Sequence, residues 1–248
     1  MMQRSLKVKV LEIWGRLFLW VEHHSTIARL ISLTTVLVVF LILLPPYKQV
    51  VFWEDLLSHK ILAIMLLVFS LLAISLVWSA GQKIDAWVFS FFNLWGSRPI
   101  WLDQVMLGFT QIGSGIVAMG IALVLLLANN QLLSYQIMLG TLALWLVVEL
   151  MKFLFYRSRP FIRMTQTRIV GFQAIGHSFP SGHTSHAFFM ATLMAQHFST
   201  RLWVVILLYV VAFLVGITRM YVGAHYPRDV LAGAILGSAW GLIVVIIN

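Results

Sequence analysis

Seven runs of apolar side chains, nearly free of charge, divide this 248-residue chain at 30–44, 61–78, 116–128, 135–155, 184–197, 202–217 and 230–247. Runs of this length suit a bilayer. In hydrocarbon every backbone N–H and C=O needs a partner within its own segment, which an α-helix supplies, and about 20 apolar residues cross the ~30 Å core. The first and third runs are shorter: about 15 residues at ~1.5 Å each reach only ~22 Å, so they extend into their flanks or penetrate in part. The expected architecture is an all-α, polytopic membrane helical bundle of six or seven transmembrane helices. A composition of 61% hydrophobic and 10% charged residues excludes an ordinary water-soluble enzyme.

The segments between the runs add detail. Residues 1–27 read as a basic amphipathic leader that is retained, because the apolar run after them ends in Pro45-Pro46 and no small-residue cleavage pattern follows. Between 78 and 116, Trp87, Phe91, Phe92, Trp95 and Trp101 interleave with Lys83, Asp85, Arg98 and Asp103, the pattern of interfacial amphipathic helices. Gly233, Gly237 and Gly241 recur every four residues in the last run and admit a close backbone, in an internal helix pair or in a dimer seam. The formal net charge of +9 is spread between apolar runs and forms no nucleic-acid footprint; the partners it implies are the bilayer and an anionic substrate. With no cysteine, disulfides, thiolate metal sites and a cysteine nucleophile are all excluded.

Charges beside membrane segments are costly, and here they gather in three places. Lys152 precedes Arg159-Pro160 by seven residues at the end of the fourth run, with Arg157, Arg163 and Arg168 nearby. Pro180-Ser181-Gly182-His183 leads into the fifth run. Arg219, His225 and Asp229 stand at the junction of the sixth and seventh. The chain crosses by the fifth helix and returns by the sixth, so all three groups reach one membrane face. Three fixed cations with a glycine-containing helix start suit a phosphate, because guanidinium forks bind its oxygens and helix N-termini aim amides at anions. Two histidines then supply nucleophile and acid. Pro227 suits the first turn of the last helix, so Asp229 is expected to point back at His225 and hold its ring. His225 becomes the nucleophile, and His183, with no carboxylate close in sequence, the general acid.

These residues resemble the type 2 phosphatidic acid phosphatase (PAP2) family, which shares a core with vanadium haloperoxidases. Lys152, Arg159 and Pro160 match its first motif, Pro180, Ser181, Gly182 and His183 its second, and Arg219, His225 and Asp229 its third, with Thr218 where serine is usual. The resemblance implies a phosphohistidine on His225, acid catalysis by His183, and phosphate held by Lys152, Arg159, Ser181, Gly182 and Arg219 without a metal. It implies a catalytic core over residues 79–248, with 1–78 adding the leader and one or two extra membrane segments. A metal site from His177, His183, His186 and His197 is disfavoured because Asp229 and Glu149 are the only acids of the motif region. No cofactor is expected. Glu149, one turn before Lys152, either aims that lysine or neutralises it. Arg163, Arg168 and Arg228 read as headgroup anchors.

The expected activity is hydrolysis of a lipid phosphate or diphosphate, with an undecaprenyl-type polyprenyl diphosphate first. Phosphatidylglycerophosphate, phosphatidate and lipid A phosphates are alternatives, as are a lipid phosphotransferase and, more remotely, a non-catalytic lipid transporter. Orientation divides the signals. With seven spans only Lys48, Lys60 and Arg201 lie opposite the motif face, and the positive-inside bias places the pocket in the cytoplasm. If one of the first two runs does not span, the leader changes sides and that bias vanishes. The family resemblance points to the extracytoplasmic face of the cell membrane.

Overall fold

The computed structural model describes residues 25–43, 45–47, 49–50, 54, 58–96, 98–198 and 201–247; the basic leader up to residue 24 lies outside the described residues. Among the described residues the chain forms helices and no strand: α1 (Thr26–Leu43), α2 (Lys60–Ser75), α3 (Ser79–Asn93), α4 (Ile100–Ile112), α5 (Gly115–Leu127), α6 (Gln131–Phe155), the single turn α7 (Pro160–Arg163), α8 (Gly182–His197), α9 (Leu202–Tyr221) and α10 (Pro227–Ile247). Helices α6, α9 and α10 are each long and apolar enough to cross a membrane. Two bent pairs, α2 with α3 at 98° and α4 with α5 at 55°, bring the number among the described residues to five if each is one span. The sixteen-residue α8 falls short of that length and occupies the middle of the bundle, against α10, α9 and α6.

Local chemistry sets the breaks. Gly113 ends α4, where a side chain would meet the His183 carbonyl oxygen at 2.5 Å, and the Ser114 hydroxyl then accepts from the Val117 amide at 3.2 Å to start α5. Asn130 caps α6 by accepting from the Leu133 amide, and α6 stops where Tyr156 turns left-handed at φ 50°. The glycines of α10 serve internal packing: Gly233 lies against the Ser181 carbonyl, Gly237 against the α8 backbone at Ser185 and Phe189, and Gly241 against Thr192. Leu133, Ile137, Leu144, Val148, Phe189, Leu193 and Leu236 fill the core between α6, α8 and α10. Three polar groups there find partners inside the protein: Ser134 donates to the Ala122 carbonyl at 2.7 Å, Thr192 bonds Tyr209 at 2.9 Å, and Trp240 donates to the Gly140 carbonyl at 3.0 Å. Apolar side chains such as Leu127, Leu139, Leu202 and Phe213 point outward.

The aromatic stretch divides. Trp87, Phe91, Trp95 and Trp101 are exposed, as an interfacial position requires, but the two acids that flank them are paired within the protein. Asp85 is buried, and Asp103 takes a two-pronged ion pair from Arg168 and a hydrogen bond from the Tyr221 hydroxyl. Arg168 therefore ties its loop to α4 and is no headgroup anchor. Arg228 is corrected in the same way: it is buried and donates to Asp85 at 2.8 Å and to the Ser75 carbonyl. The carboxylate of Asp85 decides its position.

Candidate active site

Three helix ends and one loop build a single pocket. Lys152 sits in the last turn of α6, its ammonium 2.7 Å from Glu149, so the turn spacing becomes an ion pair at the rim. The chain then leaves α6 through Tyr156 and runs extended to Arg159, which precedes Pro160 at the first position of α7. Arg159 is buried and fully engaged: its guanidinium donates to the carbonyls of Ile175, Gly176 and Ala224, all within 3.1 Å. These bonds clamp the 164–181 loop and the loop before α10 around one fixed cation.

Helix α8 starts at Gly182, with Ser181 in front of it; the Ser181 amide donates to the Asp229 carbonyl at 2.9 Å, joining the starts of α8 and α10. The first amides of a helix lack intrahelical partners and point out of its end. At Gly182 that end faces Lys152, whose Nζ would lie 3.9 Å from an added Cβ. From α9, Arg219 reaches inward, donates to Thr110 of α4 at 2.7 Å, and leaves its buried Nε without a protein partner. The turn after α9 needs Gly223, at φ +86°, to bring His225 back beneath Arg219.

Lys152, Arg159, Gly182, His183, Arg219 and His225 all line one cavity of about 370 Å³, roofed by Phe172 and Ile175. Ser181 and Asp229 are fully buried behind it. The lining thus presents three cations and two imidazoles, a set that attracts an oxyanion. A second cavity of about 680 Å³ shares Gln111, Lys152, Gly182 and His183 with the first and continues between α5 and α6 past Ile116, Met119, Leu142 and Trp145. His186 lies on that groove, its Nδ1 2.9 Å from the Gly182 carbonyl. Among the described residues no three His, Cys, Asp or Glu side chains gather as a metal-ligand set.

The histidine geometry is specific. His225 Nδ1 lies 2.7 Å from the Ser178 carbonyl oxygen, which can only accept, so Nδ1 carries the proton and Nε2 keeps its lone pair. Nε2 faces Arg159 Nη1 at 3.2 Å. Asp229 is near, as its place in the first turn of α10 predicts, but its Oδ2 stands 3.7 Å from Nδ1. That carboxylate accepts instead from Arg157 at 2.5 Å and from the Tyr226 amide at 2.9 Å. The tautomer is fixed by a backbone carbonyl, with Asp229 as the counterion behind the ring. Burial, reinforced by the charges of Arg159 and Arg219 and opposed by Asp229, pushes His225 down to about 3, so the ring is neutral at ordinary pH.

Arg157, Asp85, Gln82, Thr110 and Ser178 are site neighbours that the motif spacing does not reveal. Arg157 had a signal, lying two residues before Arg159; Asp85 and Thr110 come from helices far away in sequence and had none.

A family model described as the PAP2 superfamily matches residues 131–248. The chain is 28% identical over 178 residues to an undecaprenyl-diphosphatase of Sulfolobus acidocaldarius, covering 71% of this chain and 85% of that protein. It is 30% identical over 164 residues to the bacitracin transport permease protein BcrC of Bacillus licheniformis, covering 65% and 78%. The structure superposes with a TM-score of 0.66 on the crystal structure of a transmembrane PAP2-type phosphatidylglycerolphosphate phosphatase from Bacillus subtilis, at 25% identity over 75% of this chain and 94% of that one.

Proposed function

The chain belongs to the PAP2 superfamily, and on that footing we propose that it is a multi-pass membrane phosphatase acting on a lipid diphosphate or phosphate, a polyprenyl diphosphate of the undecaprenyl type first. The observation that carries this reading is the junction of two cavities: a compact cationic pocket holding both histidines, continuous with a larger groove lined by α5 and α6. A polar head in the first and a hydrocarbon tail in the second is the division a lipid phosphate requires. The Sulfolobus relative named for undecaprenyl diphosphate supports that substrate; the Bacillus subtilis structure named for phosphatidylglycerolphosphate supports the second reading.

The geometry suggests the steps. The terminal phosphate lies among Lys152, Arg159 and Arg219 and over the Gly182 end of α8, where the charge that develops in the transition state is neutralised. His225 attacks phosphorus through Nε2; the bond from phosphorus to the leaving oxygen breaks, and His183, otherwise held neutral by burial and the nearby Arg219 but made imidazolium by the charge of the bound phosphate, gives that oxygen its proton. The phosphorylated ring is cationic, and Asp229 stabilises it from behind. Water, passing a proton back to His183, then attacks the phosphohistidine, releasing inorganic phosphate and restoring Nε2. No metal enters these steps. Ser181 acts by holding the start of α8 against α10.

The test is phosphate release from undecaprenyl diphosphate by detergent-purified protein in excess chelator, beside His225→Ala. Release by the wild type alone supports substrate and mechanism together. Release from phosphatidylglycerophosphate but not from the diphosphate selects the second reading, and equal release by both proteins overturns the mechanism. We place the pocket at the extracytoplasmic face. Because the chain has no cysteine and Phe172 is 84% exposed at the pocket roof, Phe172→Cys provides a single label site. Labelling of intact cells by a membrane-impermeant maleimide is expected; labelling only after lysis would place the pocket inside.

A further inference from the structure

Behind the pocket four charges are buried together. Arg157 donates one nitrogen to Asp229 at 2.5 Å and the other to Asp85 and to Gln82, and its guanidinium lies 4.4 Å from the centre of the Tyr226 ring. Asp85 also accepts from Arg228. All four side chains are at least about nine-tenths buried, and the set is balanced, two cations against two carboxylates. Charges are taken out of water at such cost only when each is paired. Asp85 holds both arginines, and Arg157 carries the set on to Asp229, the counterion of His225.

We infer that Arg157 is a positioning residue for the phosphatase reaction: fixed by Asp85, it anchors the Asp229 carboxylate and offsets its charge, and so sets how strongly the His225 ring is drawn toward its cationic form. The inference rests on the reading of His225 as nucleophile. Two geometric facts carry it. Asp229 gives its short contact to Arg157 and stands 3.7 Å from the His225 ring, whose proton goes to the Ser178 carbonyl. Arg157 lines no part of the 370 Å³ cavity, so it acts through Asp229 and not on the substrate. The other groups that face His225 are Arg159 at 3.2 Å, Arg219 and, across the cavity, His183; all remain when Arg157 is replaced.

Without Arg157 the carboxylate is uncovered and His225 protonates more readily, by one to three pH units for an opposite charge within about 4–6 Å. The neutral nucleophile is then depleted in mild acid. The experiment measures kcat and KM for a lipid diphosphate at pH 4 and pH 7 in wild type, Arg157→Gln, Arg157→Lys, Asp85→Asn and the charge-balanced double variant Arg157→Gln/Asp85→Asn, with His225→Ala as reference. Arg157→Gln and the double variant should lose at least half of their pH 7 kcat at pH 4 relative to wild type, with KM within about threefold. Arg157→Lys and Asp85→Asn, which keep a cation on Asp229, should lower kcat but retain the wild-type pH ratio. If Arg157→Gln does not fold, the double variant, which leaves no unbalanced buried charge, reads the same quantity. Wild-type pH ratios in folded variants without Arg157, or an equal change in Asp85→Asn, would overturn the inference. Failure of the underlying reading looks different: His225→Ala would release phosphate as fast as wild type.

Discussion

Gly237→Ala tests whether the α8–α10 contact holds the catalytic start of α8 in place. A Cβ at Gly237 would lie 2.9 Å from the Ser185 carbonyl carbon and 3.0 Å from the Phe189 amide nitrogen, with the Ser185 oxygen closer still. Every one of these atoms is backbone, so no side chain can swing aside. Ordinary non-bonded separation is ~3.5–4.0 Å, so the helices must part by on the order of 1 Å. Overpacking of this kind costs ~1–3 kcal/mol, offset by up to ~1 kcal/mol because alanine is the better helix former. The net loss of stability is therefore up to ~3 kcal/mol, enough to lower Tm. Activity should suffer more, because α8 carries Ser181, Gly182 and His183 at its start, and a 1 Å misplacement costs ~10²-fold in rate. The assay is kcat for phosphate release from a lipid diphosphate, with thermal unfolding in the same detergent, and Gly120→Ala as control, since nothing lies within 4 Å of a Cβ there. Wild-type kcat in Gly237→Ala would refute the argument that this close contact positions the site.

Other substitutions probe the remaining contacts. Arg219→Ala should lower kcat by ~10²–10³-fold, the loss expected for one group that stabilises transition-state charge. Thr218→Ser should retain nearly full activity, because the Thr218 hydroxyl donates to the Val215 carbonyl at 2.7 Å, a bond serine can make. Asn93→Ala removes bonds to the Arg168 carbonyl, the Tyr221 carbonyl and the Arg168 amide, and should destabilise by ~2–3 kcal/mol, read as a lower Tm. Stability should also fall in acid. Folded His225 stays neutral down to about 3, whereas the unfolded residue takes its proton near 6.5, so its contribution is present above ~6.5 and is lost as pH falls toward 3. A Tm profile that flattens over that range in His225→Gln is the expected check.

Helices and pocket differ in how far the sequence reveals them. The apolar runs place α6, α9 and α10 within a few residues of their ends, because hydrocarbon solvent enforces both helix and length. The breaks in α2–α3 and α4–α5 are harder to read, since a bend at Gly113 depends on the His183 carbonyl packed against it from α8. In the site, motif spacing brings Lys152, Arg159, Gly182, His183, Arg219 and His225 to one cavity, because each stands at a helix end on the same face. Asp229 is legible as a neighbour of His225, but its partner is not: Arg157 claims it, and Ser178 takes the imidazole proton. The sequence pattern makes Arg228 a headgroup anchor and puts Asp85 on an interfacial amphipathic helix, yet both are buried against each other. Local pattern locates a charge along the chain, while pairing across 143 residues depends on how the helices pack.

The covalent step on His225 is tested most directly by trapping it. Detergent-purified enzyme is mixed with a lipid diphosphate labelled at its terminal phosphorus and quenched in alkali within milliseconds. The protein should carry label that is stable to base and lost in acid, as a phosphoramidate is, located on the peptide containing His225 and absent from His225→Ala. Label of the same stability on His183, or rapid turnover with no label on the protein at any quench time, would contradict the account.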